Sequence, residues 1–173
     1  MAKRISLREF QERVSQRLQS ATSGQAGLSR LGVRIGDQHC LLELTQVSEV
    51  VSVPPILEVP LTREWFRGVS NIRGTLYSVT DLSHFLFRTP TGSLPGNRLL
   101  LLQSRLIDNA ALMVSQIIGL RQPNQLEAVS MAQDDSKPWL GEQFRDSQGV
   151  HWQMLHIDQL VRQPEFLQIN RYQ

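Results

Sequence analysis

The residues able to do chemistry are present, but not at the spacings that reactive chemistry needs. His39 and Cys40 are neighbours. On an extended strand neighbouring side chains point to opposite faces, so this imidazole cannot act as base for this thiol. Asp81 and His84 are three residues apart, the spacing of a helix cap and a residue one turn further on. His151 and His156 differ in parity along an extended segment and would face opposite sides. No cysteine and histidine spacing fits a zinc site. Gly68 and Gly74 bracket a hairpin instead of leading a strand into a long helix, so no phosphate cradle is expected. No catalytic residue, metal ligand or cofactor is assigned. A hydrolase built on Cys40 would declare itself by losing turnover on thiol alkylation.

The totals point the same way. The chain has 173 residues, enough for one ordinary domain or two small lobes sharing a core. It is 40% hydrophobic and 20% charged, the composition of a globular protein. Its 18 basic and 16 acidic residues leave a net charge of only +2, and the arginines are scattered. A nucleic-acid-binding chain is expected to cluster its basic residues on one face. The single cysteine excludes an internal disulfide. The opening MAKRISLREF lacks the apolar core of a secretory signal, and apolar runs such as Leu99 to Leu102 fall far short of the ~20 residues of a membrane helix. A cytoplasmic location without membrane insertion is expected.

The elements that must position these side chains are mostly strands. Leu7, Phe10, Val14 and Leu18 recur at helical spacing after a capping pair, Ser6 and Glu9. Residues 1–28 are therefore expected to form a helical extension. From Leu31 the period becomes two: Leu31, Val33 and Ile35 alternate, Gly36-Asp37 turns the chain, and Gln38 to Leu44 returns. Val47 to Val53 is a β-branched third strand. After Pro54-Pro55, the residues Leu61, Trp65 and Phe66 suggest a helical turn. Gly68 to Ile72 and Leu76 to Thr80 form a hairpin across Arg73-Gly74, and Asp81 caps a short helix. A further hairpin is expected across Ser147-Gln148-Gly149. The polar stretch from Gln122 to Asp135 has Leu126, Val129 and Met131 as anchors.

The third strand has an echo. VSEVVSV at Val47 to Val53 matches VSQIIGL at Val114 to Leu120 position by position, and their lead-in hairpins and following helices correspond too. Two similar β-rich lobes are expected, joined by the Pro- and Gly-rich residues 88–97, each closed into a small five-stranded barrel that leaves no free edge. The domain of residues 29–173 would divide into lobe one at about 29–90, lobe two at about 91–163 and a tail at 164–173. Lobes meeting in this way leave a seam, with Val47 and Val50 available on one side and Ile117 and Leu120 on the other. Glu49 and Arg73 are charges that a core would exclude unless paired. As paired charges beside a groove they would orient a partner.

The run VSEVV followed by EVPLTREWFRGVSNIRGTLYSVTDL resembles the CheW family of chemotaxis coupling proteins. Glu49, Pro60, Gly68, Val69, Asn71, Arg73, Gly74, Asp81 and Leu82 match its motif, and the likeness covers about Leu31 to Val161. It departs from the family pattern at Ser78, where proline is usual, and at Ser115, where an acidic residue is usual. The N-terminal stripe, the arginine content and the tail EFLQI resemble the PilI branch, coupling proteins of type IV pilus twitching systems. The resemblance implies a mainly β fold of two SH3-like five-stranded barrels with short helices. It also implies a non-enzymatic adaptor, held at membrane-associated arrays, that links the cytoplasmic tip of a methyl-accepting chemoreceptor to a CheA-type histidine kinase. The residues it marks for partner contact are Val47, Glu49, Val50, Gly68, Asn71, Arg73, Ile117 and Leu120. The alternative from a different class is a small-barrel protein binding single-stranded nucleic acid, which would need a basic face interleaved with stacking aromatics.

Overall fold

The structure, a computed structural model, describes residues 29–129 and 134–172. The expected helical extension and the anchor Met131 lie outside the described residues. Eleven strands account for most of the rest: β1 (Arg30–Ile35), β2 (Gln38–Glu43), β3 (Val47–Ser52), β4 (Phe66–Ile72), β5 (Thr75–Asp81), β6 (Arg98–Leu102), β7 (Ala110–Val114), β8 (Gln116–Arg121), β9 (Leu126–Val129), β10 (Leu140–Asp146) and β11 (His151–Leu155). Helix α1 (Leu82–Phe87) follows β5, α2 (Ile157–Leu160) follows β11, and α3 (Pro164–Leu167) begins the tail. The mainly β expectation holds.

The strands form two sheets, one in the order β8-β1-β2-β11-β10-β9 and one in the order β3-β6-β7-β5-β4. Read from β8 and from β3, the first four pairings share the same sense: antiparallel, antiparallel, parallel, antiparallel. The echo between VSEVVSV and VSQIIGL is thus structural, because both strands occupy the same edge position of their sheets.

The expected division at about residue 90 does not describe the sheets. Each sequence half lends its leading hairpin to the other sheet: β1 and β2 join β8 to β11, while β6 and β7 join β3 to β5. The physical cause is connection length. Only Ser115 separates β7 from β8, and only the 3-10 turn Leu44–Gln46 separates β2 from β3. The single residue Ser115 is too short to fold a strand back beside its predecessor, and the 3-10 turn redirects the chain without closing a hairpin, so at both points the chain passes to the other sheet. The two leading hairpins carry similar apolar patterns, so local reading cannot tell which sheet each will join.

Three apolar clusters result. The largest lies between the sheets and draws on Leu31, Val33 and Leu42 from one and on Val47, Leu100 and Leu112 from the other. Each sheet also curls over a smaller cluster of its own: Val51, Val79, Leu99 and Met113 in one, Leu41, Phe144, Trp152 and Met154 in the other. Closure is by strap and not by a continuous ladder. In the five-stranded sheet the chain leaving β3 crosses to β4, where Leu57 pairs with Val69 through backbone bonds of 2.8 and 2.9 Å. In the other sheet the same step is longer and forms β9, which makes that sheet six-stranded where five were expected. The helical turn expected around Leu61 to Phe66 is instead a set of turns running into β4. Trp65 is buried there, stacked on Phe166 of α3 at 6.1 Å between ring centres, and Leu61 is exposed.

Asp81 holds α1 in place. It caps the helix by accepting from the His84 backbone N–H at 3.1 Å. It is also fully buried, and it accepts from the Thr91 N–H at 2.8 Å and from the Thr91 hydroxyl at 2.7 Å. One carboxylate thereby satisfies three donors and pins the start of the join between the sequence halves. Asp81→Ala is expected to cost roughly 2–4 kcal/mol, the sum of a lost cap and two lost charge-assisted bonds. Urea denaturation measures this, and a change below ~1 kcal/mol would contradict it.

Candidate functional site

The β4–β5 hairpin turns on two residues, Arg73 at φ +52° and Gly74 at φ +87°. Positive φ at both central positions is the type I′ pattern, whose backbone twist matches that of the strands it joins. Asn71 stabilises the turn by accepting the Gly74 N–H at 2.8 Å through its side-chain oxygen. Glycine occupies its place without strain. Arginine does not, because a Cβ disfavours the left-handed region and the turn alone would select asparagine there.

What Arg73 does from this position is reach Glu49. The guanidinium makes a two-pronged ion pair with that carboxylate, Nη1 to Oε2 at 2.9 Å and Nη2 to Oε1. The hydrogen bond and charge of Glu49 push the Arg73 pKa up further. The pair spans the two edges of the five-stranded sheet, since Glu49 is on β3 and Arg73 adjoins β4. Glu49 shares a face of β3 with Val51, so the pair stands at the rim of the cluster that also includes Ile72 and Tyr77. The arginine side chain is 69% exposed and the glutamate 31%. On the other face of the hairpin are two uncovered apolar side chains. Leu57 is 72% exposed and pairs with Val69; Leu76 is 61% exposed and pairs with Asn71. Val69 and Asn71 alternate along β4, so these four stand on one face of that strand.

The eight residues marked in the sequence therefore separate into groups. Glu49, Asn71 and Arg73 come together on the surface. Val47 and Val50 do not line a groove, because both are buried in the cluster between the sheets. Their odd spacing would put them on opposite faces, but a register shift between Val47 and Glu49 returns Val50 to the core side. Ile117 and Leu120 are half-buried on β8 and pack against the same cluster. The seam is consequently core at Val47 and Val50, while Ile117 and Leu120 leave half-buried apolar surface at its margin. Gly68 is buried too, at φ +125°, where a Cβ would overlap the Leu57 carbonyl oxygen and lie 2.8 Å from its carbon. Its part is to let the strap cross β4. Leu57 and Leu76 escaped the sequence reading because periodicity assigns apolar strand residues to a core.

The single thiol is inert. Cys40 is fully buried in the central cluster, while His39, on the other face of β2, packs edge-on to Trp152 at 5.2 Å. Burial pushes the Cys40 pKa up to about 12. Alkylation at mildly alkaline pH is expected to proceed only as fast as the protein unfolds, which mass spectrometry across a denaturant series reads directly. Rapid labelling without denaturant would contradict this. Among the described residues no group of three or more His, Cys, Asp or Glu is placed to hold a metal. Most of the described aromatics are closed to stacking with a nucleobase. Trp65, Phe66, Phe85, Phe144, Trp152 and Phe166 are buried, and Arg30 and Arg121 lie over the Phe144 and Trp152 rings at 4.4 and 4.9 Å. No helix among the described residues is long and apolar enough to cross a membrane.

Two curled sheets of matching order, with a charged hairpin tip and an uncovered apolar strip on the hairpin's other face, describe a recognition scaffold. Residues 29–165 match the CheW-like domain, and the chain belongs to that family. Within it the chain is similar to Protein PilI of Pseudomonas aeruginosa, with 31% identity over 93 residues. That match spans about half of each protein, 54% of this chain and 52% of PilI. The fold is also that of the scaffolding protein TtCheW from Thermoanaerobacter tengcongensis, whose crystal structure superposes with a TM-score of 0.64 at 17% identity over 80% of this chain and 90% of that one.

Proposed function

We propose that this protein is a non-enzymatic adaptor that couples the cytoplasmic tip of a methyl-accepting chemoreceptor to a CheA-type histidine kinase. Membership of the CheW-like family supports the adaptor role, and the likeness to Protein PilI supports a chemosensory system that controls type IV pilus twitching. The location that goes with it is the cytoplasm, at membrane-associated arrays. The observation that carries the reading is Arg73. A turn that would be more relaxed with asparagine carries an exposed guanidinium instead, aimed by Glu49. Strain of this kind persists where a side chain has work to do. Arginine is also among the residue types enriched at interface hot spots.

Each contact can be modest. In an array the second partner meets the adaptor at high effective concentration, so two weak interfaces suffice for stable assembly. The test is co-purification and reconstitution. Tagged protein should recover a CheA-type kinase from lysate of its own host, and adding it to purified kinase and receptor fragments should raise receptor control of autophosphorylation. Failure of both would overturn the proposal.

A further inference from the structure

A cleft of about 350 Å³ lies away from the hairpin site, between α1, residues 136–140 and α3. Its apolar walls are Leu86 and Phe87 on one side and Trp139 and Leu140 on the other, with Arg88, Lys137 and Glu165 on the rim. Phe87 is 41% exposed and Trp139 is half-buried. An aromatic cleft of this size with a mixed-charge rim suits an amphipathic segment of mixed charge. The chain supplies one. Leu7, Phe10, Val14 and Leu18 recur at helical spacing, and Arg8, Glu9, Glu12, Arg13 and Arg17 lie among them. The CheW-like match begins at residue 29, so this stretch is additional to the shared domain.

The distances allow the two to meet. Arg30 pairs with Glu43, Leu42 pairs with Leu155, and Leu155 pairs with Leu140. Three strand spacings, about 14 Å, therefore separate the first described strand from the cleft wall. Residues 19–28 lie between the stripe and Ser29 and can extend to about 33 Å. We infer that the segment before Ser29 docks through this stripe into the Phe87–Trp139 cleft of its own chain. Burial of the four apolar side chains against exposed aromatic surface drives the docking.

Trp139 reports on this in the full chain, because the other two tryptophans, Trp65 and Trp152, are buried. The measurement is the indole N–H resonance of Trp139, assigned with Trp139→Phe, together with acrylamide quenching. The double substitution Phe10→Asp and Val14→Asp should shift that resonance and increase quenching while leaving the Trp65 and Trp152 signals in place. Phe87→Asp should release the segment in the same way. Wild-type and Phe10→Asp/Val14→Asp spectra that coincide at Trp139 would overturn the inference. So would a Trp139 signal that changes with protein concentration, since that would place a second copy in the cleft.

Discussion

Gly68→Ala is expected to lower stability by roughly 3–5 kcal/mol, a large part of the 5–15 kcal/mol that holds a domain of this size folded. Two penalties act together. At φ +125° any side chain is strained, by about 1–3 kcal/mol. The added Cβ would also overlap the Leu57 carbonyl oxygen and lie 3.0 Å from the Glu58 Cα. Both neighbours are backbone, tied to β4 by the reciprocal Leu57–Val69 hydrogen bonds, so neither can give way without losing them. Gly74→Ala separates the two effects. Gly74 is also at positive φ, but a Cβ there meets nothing within 4 Å. Its cost should be about 1 kcal/mol, from conformation alone. Denaturant melts of both variants give the comparison. Equal losses at the two positions would show that the strap does not press on Gly68.

The second large effect is on association and not on stability. Arg73→Glu should weaken recruitment of the partner by at least about thirtyfold, the scale of a hot-spot side chain, while the fold survives. The ion pair itself contributes little to stability, about 0–1 kcal/mol for a side chain this exposed. Arg73→Asn is the more telling variant. Asparagine fits the left-handed turn position better than arginine does. The variant should therefore be as stable as the parent or slightly more so, yet lose partner binding as severely. Thermal melts and binding isotherms on the same preparation test both halves. A stable Arg73→Asn protein with undiminished affinity would remove Arg73 from the interface. The exchanged pair Glu49→Arg with Arg73→Glu adds a distinction. It restores the intramolecular contact but inverts the two charges, so recovered binding would mean that the partner reads the shape of the hairpin tip, and continued loss would mean that it reads the guanidinium.

The chemistry of individual turns and caps was legible in the sequence because it is local. Asp81 caps α1, Arg73-Gly74 turns the hairpin, and Ser147-Gln148-Gly149 turns the β10–β11 hairpin, as residue type alone implied. The second grip of Asp81, on Thr91, was not legible. It crosses ten residues of irregular chain, whose path no periodicity describes. β9 was missed for a related reason. It has only four residues, with Glu127 and the small Ala128 between Leu126 and Val129, and what makes it a strand is the neighbouring β10, with which it pairs.

Alternating apolar residues, β-branched runs and glycine at turns were enough to determine most of the strands and the repeated pattern, and the motif from Glu49 to Leu82 carried the resemblance to the family. They were also enough to pick out Glu49 and Arg73 as charges in need of a partner. Tertiary structure alone decided the rest. It exchanged the leading hairpins between the sheets, because links such as Ser115 are too short to fold back. It buried Val47 and Val50 through a register shift, set the strap over Gly68, and left Leu57 and Leu76 uncovered. Each of these outcomes depends on which distant segment arrives alongside. A residue's own type fixes what it can tolerate, and only the arriving neighbour fixes whether it is covered.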